Sequence, residues 1–169
     1  MKNPTKHKVE EAKYFLSMLK QLFEDDDEFA YNLSAFLSAA RSITFYMQKQ
    51  YKHRDGFAEW YCRKRIEMSA DEELKYLNNA RVEDIHKEPV HTGATREVGC
   101  SVDVILVPED EQANETELEP HTQSSSKTSS LKTVRRFFPK FGEVDVTEFC
   151  ESQLTKLTMI VEECENHFV

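Results

Sequence analysis

The chain has 169 residues, of which 39% are hydrophobic and 31% charged, with a formal net charge of -9 and a mean hydropathy of -0.65. That length predicts a single domain with a sizeable core, and no apolar run approaches the roughly 20 residues that cross a bilayer, which argues against a membrane protein. The acidity excludes general electrostatic attraction to nucleic acid, because affinity for phosphates comes largely from Lys and Arg. The excess is uneven: residues 108–130 hold Glu109, Asp110, Glu111, Glu115, Glu117 and Glu119 against Lys127 alone, so a basic face elsewhere is compatible with the total.

The N-terminal stretch MKNPTKHKVEEAK has lysines but no apolar segment, so it does not read as a signal peptide and the expected location is the cytoplasm. A first helix is predicted from about residue 5 or 6 to Phe23, with Val9, Ala12, Leu16, Leu19 and Phe23 on one stripe, widened by Phe15 and Leu22. The run Asp25-Asp26-Asp27-Glu28 supplies an N-cap and first-turn carboxylates for a second helix over about 26–51. Its apolar face is Phe29, Leu33, Phe36, Ala40, Ile43 and Met47, beside the small residues Ala35, Ser38, Ala39 and Ser42. A turn at HRDG, 53–56, leads to a shorter helix over about 57–68, and Ser69 with Glu72 reads as a capping box for a fourth helix. That helix runs to about 86 or 87, where Pro89 ends it. Residues 6–88 therefore read as a four-helix unit.

Beyond Pro89 the period changes. Residues 99–108 (GCSVDVILVP) and 131–139 (LKTVRRFFP) have strand chemistry, and the acidic then serine-rich 108–130 between them reads as a mobile loop of a β-hairpin, assigned to 95–140. A final helix over about 145–168 places Val146, Cys150, Leu154, Leu157, Val161, Cys164 and Phe168 on one face. The fold class expected is a mainly α, up-and-down bundle of four to five helices, one domain over 1–169, with a β-hairpin inserted before the C-terminal helix. Cys62, Cys100, Cys150 and Cys164 lack paired spacing and read as reduced thiols, and the scattered histidines give no zinc pattern. No metal or other cofactor is called for.

Arg81 and His86 stand at the end of the fourth helix with four residues between them. With VEEAKYFLSMLK, DDEFAYNLSAFLSAARSITFYMQKQY, FAEWYCRKRIEM and ELKYLNNARVEDIH, this closing pair resembles HEPN-type helical proteins (higher eukaryotes and prokaryotes nucleotide-binding domain) over about residues 6–88, with the last helix as a plausible addition. The resemblance implies metal-independent RNA cleavage by a homodimer acting in defence or as a regulated toxin. Arg81 would then hold the scissile phosphate and His86 would transfer the proton of the 2'-hydroxyl or the leaving oxygen, roles that suit a permanently charged guanidinium and an imidazole titrating near neutrality. Val82 stands where catalytic members usually carry a polar residue, and Glu88 where a subset carries Tyr. The alternative is a non-catalytic HEPN-like binding or scaffold protein that dimerises and recruits a partner through its acidic loop. In that case Arg81 faces solvent or pairs with Glu83 or Asp84, and His86 caps a helix end. Secondary RNA-binding candidates are Arg63, Lys64 and Arg65, then Arg135 and Arg136 beside Phe137 and Phe138. Arg41 is a further one, with the alternative that among small residues it is partly buried and paired with Glu28 or another carboxylate.

Overall fold

The computed structural model describes residues 3–21, 25–86, 89–99 and 131–169. Helix α1 spans Pro4–Leu19, capped by Asn3, whose side chain accepts from the N–H groups of Thr5 and Lys6. Its stripe of Val9, Ala12, Leu16 and Leu19 is buried as expected. The helix is shorter than the periodicity predicts, because Lys20 N–H closes on Leu16 and Gln21 N–H then closes one residue tighter, on Met18. Phe23 lies outside the described residues. Helix α2 spans Asp26–Tyr51, and all six residues of its predicted apolar face are buried. The Asp25 carboxylate accepts from Asp27 and Glu28 N–H, each at 2.9 Å. An N-cap of this kind contributes about 1 kcal/mol, so Asp25→Ala should lower the unfolding free energy in urea by about that amount with an unchanged denaturant slope. An unaltered midpoint would contradict the capping role.

Helix α3 spans Phe57–Ala70 and is entered through Gly56, whose φ of 76° closes the HRDG turn in left-handed backbone that glycine adopts without strain. Helix α4 spans Glu72–His86. The capping box expected from Ser69 is not what caps it. Ser69 is still inside α3, bonding back to the Arg65 carbonyl, and the Asp71 carboxylate receives the N–H groups of Glu73 and Leu74. Lys156 of the last helix bridges Asp71 at 2.7 Å and Glu73 at 2.8 Å, and Gln153 donates to Glu73.

This clip sets an acid limit on stability. Burial works to raise the Asp71 carboxyl, but bonds from Lys156 and the Leu74 and Glu73 N–H groups outweigh it, while Lys156 and then Gln153 hold Glu73 low. A carboxylate held below its unfolded value of about 4 stabilises the fold above that pH, and the contribution disappears as pH falls through the folded value. Wild-type Tm should therefore drop below about pH 4.5, whereas Lys156→Met should start lower at neutral pH and lose less on acidification. Equal acid losses in the two proteins would contradict the clip.

Strand β1 spans Gly93–Gly99 and pairs with β2, Leu131–Phe137, in a two-stranded sheet. The first strand thus lies N-terminal to the predicted 99–108, most of which is outside the described residues, as is 108–130. Gly93 at the start of β1 sits under the Phe137 ring at the end of β2, where any Cβ would collide with it, so the strands run antiparallel and this position excludes a side chain. A 3-10 turn at Pro139–Phe141 leads to α5, Val146–Phe168, capped by Asp145. Its predicted face is buried except for Phe168, which is partly so. Residues 1–95 and 134–169 make one compact helical unit and 96–133 a second, described only at 96–99 and 131–133. In the helical unit α2 is central, packing on α1, α4 and α5, while α3 packs on α4. Among the described residues no helix is long and apolar enough to cross a membrane.

Candidate nucleic-acid interface

Helices α2, α3 and α4 enclose a cleft of about 390 Å³ with Leu157 of α5 at its floor. Leu37, Ala40, Leu74 and Leu77 supply apolar walls, Tyr61 an aromatic one, and Arg41, Arg65 and Lys75 the charge. Among the described residues no carboxylate lines the cleft. Arg41 is exposed rather than buried, and it bonds the Thr44 hydroxyl at 2.7 Å instead of pairing with Glu28. Thirteen residues along one helix separate Arg41 from Glu28 by about 20 Å, beyond side-chain reach. None of Arg41, Arg65 and Lys75 forms an ion pair among the described residues. A neighbouring pocket of about 190 Å³ shares Tyr61 and Arg65, adds Lys52 and Gln48, and likewise has no carboxylate among its described lining residues.

Arg81 continues the α4 side of this cleft. Leu74, Leu77 and Asn78 line it, and Arg81 follows Leu77 by four residues and Asn78 by three, hence on the same face one turn on. Ser34 donates to Asp84 near one end of the α2–α4 contact, while Arg41 and Thr44 share the cleft with Leu74 and Lys75 farther along, so the two helices run antiparallel and Arg81 faces the part of α2 between Ser34 and Arg41. The expected ion pairs of Arg81 with Glu83 or Asp84 do not form: Asp84 takes the Ser34 hydroxyl, and the half-buried Arg81 has its Nε shielded from solvent with no hydrogen-bond acceptor. A buried donor left unmade costs about 1–3 kcal/mol.

His86 is exposed in the last turn of α4, next to the negative end of the helix dipole. Because α4 is continuous to His86, the two side chains leave the axis about 140° apart and about 7.5 Å along it. Val82 is 43% exposed. Two other candidates have charges already committed. Lys64 bridges Glu67 and Glu163, each at 2.8 Å, over the Trp60 ring. Arg136 is 6% exposed, bonds Asp26 at 2.6 Å and lies 4.4 Å from the Phe29 ring centre, so it fastens β2 to the start of α2 rather than facing a ligand. Arg63 and Arg135 are exposed and line neither pocket. Phe138 is buried against Tyr76 and Phe149, which removes it as a base-stacking ring. Cys150 and Cys164 are buried free thiols, burial pushing Cys164 up to about 12 and Cys150 higher still, which keeps both unreactive.

Lys75, Tyr61 and Lys52 were not singled out by sequence. One signal was present for two of their neighbours: Arg41 and Arg65 have no carboxylate three or four residues away in either direction, whereas Lys64 has Glu67. Lys75 has Asp71 and Glu72 at that spacing, and only the structure shows Asp71 taken by Lys156.

Among the described residues the fold has five α-helices, with a cleft lined by the cations Arg41, Arg65 and Lys75 on a chain of net charge -9. A family model described as Bacteriophage lambda protein ea47 matches residues 4–90, just over half of the chain and all of α1–α4. The chain belongs to this family. No curated protein and no solved structure matches it.

Proposed function

We infer that this protein is a HEPN-like RNA-binding protein that acts as a homodimer and cuts RNA without a metal ion, Arg81 gripping the scissile phosphate and His86 transferring the proton. The observation that carries this reading is the Arg81 guanidinium, half-buried with Nε lacking an acceptor, on the α4 face that runs into a carboxylate-free cleft. The wide angle between the two side chains on one helix is the reason for two copies: the phosphate held by one chain meets the imidazole of the other. Apolar surface for such a contact exists on α2, where Tyr31 is 69% and Phe45 57% exposed and a separation of 14 residues puts them within about 40° of each other on the helix. The test is incubation of purified protein with mixed RNA in excess chelator. Cleavage, together with a dimeric mass in solution, is expected, and intact RNA at high protein concentration would end the nuclease reading.

The second reading, a non-catalytic binding protein of the same helical type, is favoured by Val82 beside Arg81. It predicts RNA binding without cleavage, and full retention of the cellular effect in His86→Ala.

A further inference from the structure

We propose that the cleft between α2, α3 and α4 seats one nucleoside monophosphate group, either free or as one residue of an RNA strand, with the phosphate on Arg41, Arg65 and Lys75 and the base in the apolar interior. Arg81 adjoins this cleft one turn on along α4 but neither Arg81 nor His86 lines it, and its occupancy does not require cleavage. Four observations carry it.

The volume of about 390 Å³ lies within the range of small-molecule sites and suits a ligand of nucleotide size. All the charge the described lining carries is positive, two guanidinia and one ammonium, beside neutral groups that can donate, the hydroxyls of Thr44, Tyr61 and Ser69 and the Asn78 amide. Such a set favours an anion over a cation. The charge is also unspent. Elsewhere in the helical unit, Lys8, Lys13, Lys64 and Lys156 are neutralised by carboxylates within 2.8 Å, whereas the three cations here have no ionic partner among the described residues. Finally, the interior is apolar and carries an aromatic ring, Tyr61, stacked on Phe57 at 5.4 Å. Inorganic phosphate alone would leave that interior unfilled, while a base would bury against it.

The adjoining pocket bears on the source of the nucleotide. It shares Tyr61 and Arg65 with the cleft and places Lys52 on its far side, so unpaired cations run from Lys52 through Arg65 and Arg41 to Lys75. A polyanionic strand would follow such a track, with a second residue in the second pocket.

The experiment is calorimetric titration of the full chain with AMP, adenosine, inorganic phosphate and a short oligouridylate, on wild type, Arg65→Glu, Lys75→Glu and the control Lys49→Glu. Arg65, Lys75 and Lys49 are all exposed, so the variants should fold, and their circular dichroism checks this. AMP is expected to bind once per chain, with adenosine and phosphate each at least about tenfold weaker, and with Arg65→Glu and Lys75→Glu each losing about tenfold or more, the loss a charge-assisted contact carries. Lys49→Glu should bind as wild type. Tighter binding of the oligomer than of AMP assigns the site to a strand, and the reverse assigns it to a free nucleotide; either supports the seat. No saturable binding of either, phosphate binding as well as AMP, or undiminished affinity in both cleft variants would overturn it. Cleavage without nucleotide binding here would overturn this site alone, and nucleotide binding without cleavage would overturn the nuclease reading alone.

Discussion

Arg81→Ala and His86→Ala should each reduce metal-free RNA cleavage by about a hundredfold or more while leaving the circular dichroism spectrum and urea midpoint close to wild type. A positioned proton-transfer group contributes about 10²- to 10⁴-fold to rate, and a guanidinium that holds two phosphate oxygens stabilises charge in a way no neutral residue replaces. Neither change touches the main packing: His86 is exposed and Arg81 is half-buried at the edge of α4. Removing Arg81 also deletes a buried donor that has no acceptor, so the fold should not suffer and stability can rise slightly. Mixing the two inactive variants gives a sharper result. The proposed site uses Arg81 of one chain and His86 of the other, because α4 is regular through His86, so a mixed dimer would contain one intact Arg81 and His86 combination. Activity should therefore reappear on mixing, below the wild-type level. Two inactive proteins that stay inactive when mixed, although shown to exchange subunits, would contradict the shared site.

Phe138→Ala should destabilise the helical unit by about 3–5 kcal/mol, the usual loss for deleting a buried phenyl ring. Phe138 is 1% exposed, and its ring meets Tyr76 of α4 and Phe149 of α5 with centroids 5.2 Å away in each case. Phe141 adds contacts to the same two rings at 4.9 Å. Edge-to-face pairs of this kind contribute about 0.5–1.5 kcal/mol beyond the area they bury, so the loss combines a cavity with broken ring contacts. For a domain whose total stability is about 5–15 kcal/mol, that is a large share. The effect should reach the cleft, because Tyr76 adjoins Lys75 on α4. Equilibrium urea unfolding measures it directly. A loss under about 1 kcal/mol would mean that the cluster closes around the gap.

Where periodicity and capping agree, the sequence predicts the structure closely. The α2 boundaries and its six buried residues follow from a long apolar stripe beginning at an aspartate cap, and α5 follows from its apolar stripe, with Asp145 as the cap the structure adds. Short-range competition is harder to read. Ser69 and Asp71 are both good caps two residues apart, and the Asp71 that does cap is also held by Lys156, 85 residues further on, a contact no local reading shows. The strand at 93–99 was hidden because GATREVG has few β-branched residues, and its pairing with β2 requires only that Gly93 leave room for Phe137. The candidate site divides in a similar way. Arg41 and Arg65 stand without carboxylates at helical spacing, and that isolation is visible in the sequence. Arg136 looks like a free basic residue beside aromatics, yet long-range packing on Phe29 and Asp26 consumes it. The cleft joins residues from four helices, so no local motif could have announced it.

The account depends on the unpaired cationic face of α2, α3 and α4 receiving a phosphate-bearing strand. Hydrogen–deuterium exchange of the full chain with and without a short single-stranded RNA tests this most directly. Protection is expected in the segments around Arg41 and Thr44, around Tyr61 and Arg65, and from Leu74 to Arg81, with the face of α5 at Lys156 and Glu163 unchanged. Protection confined to other surfaces, or none at saturating RNA, would contradict it.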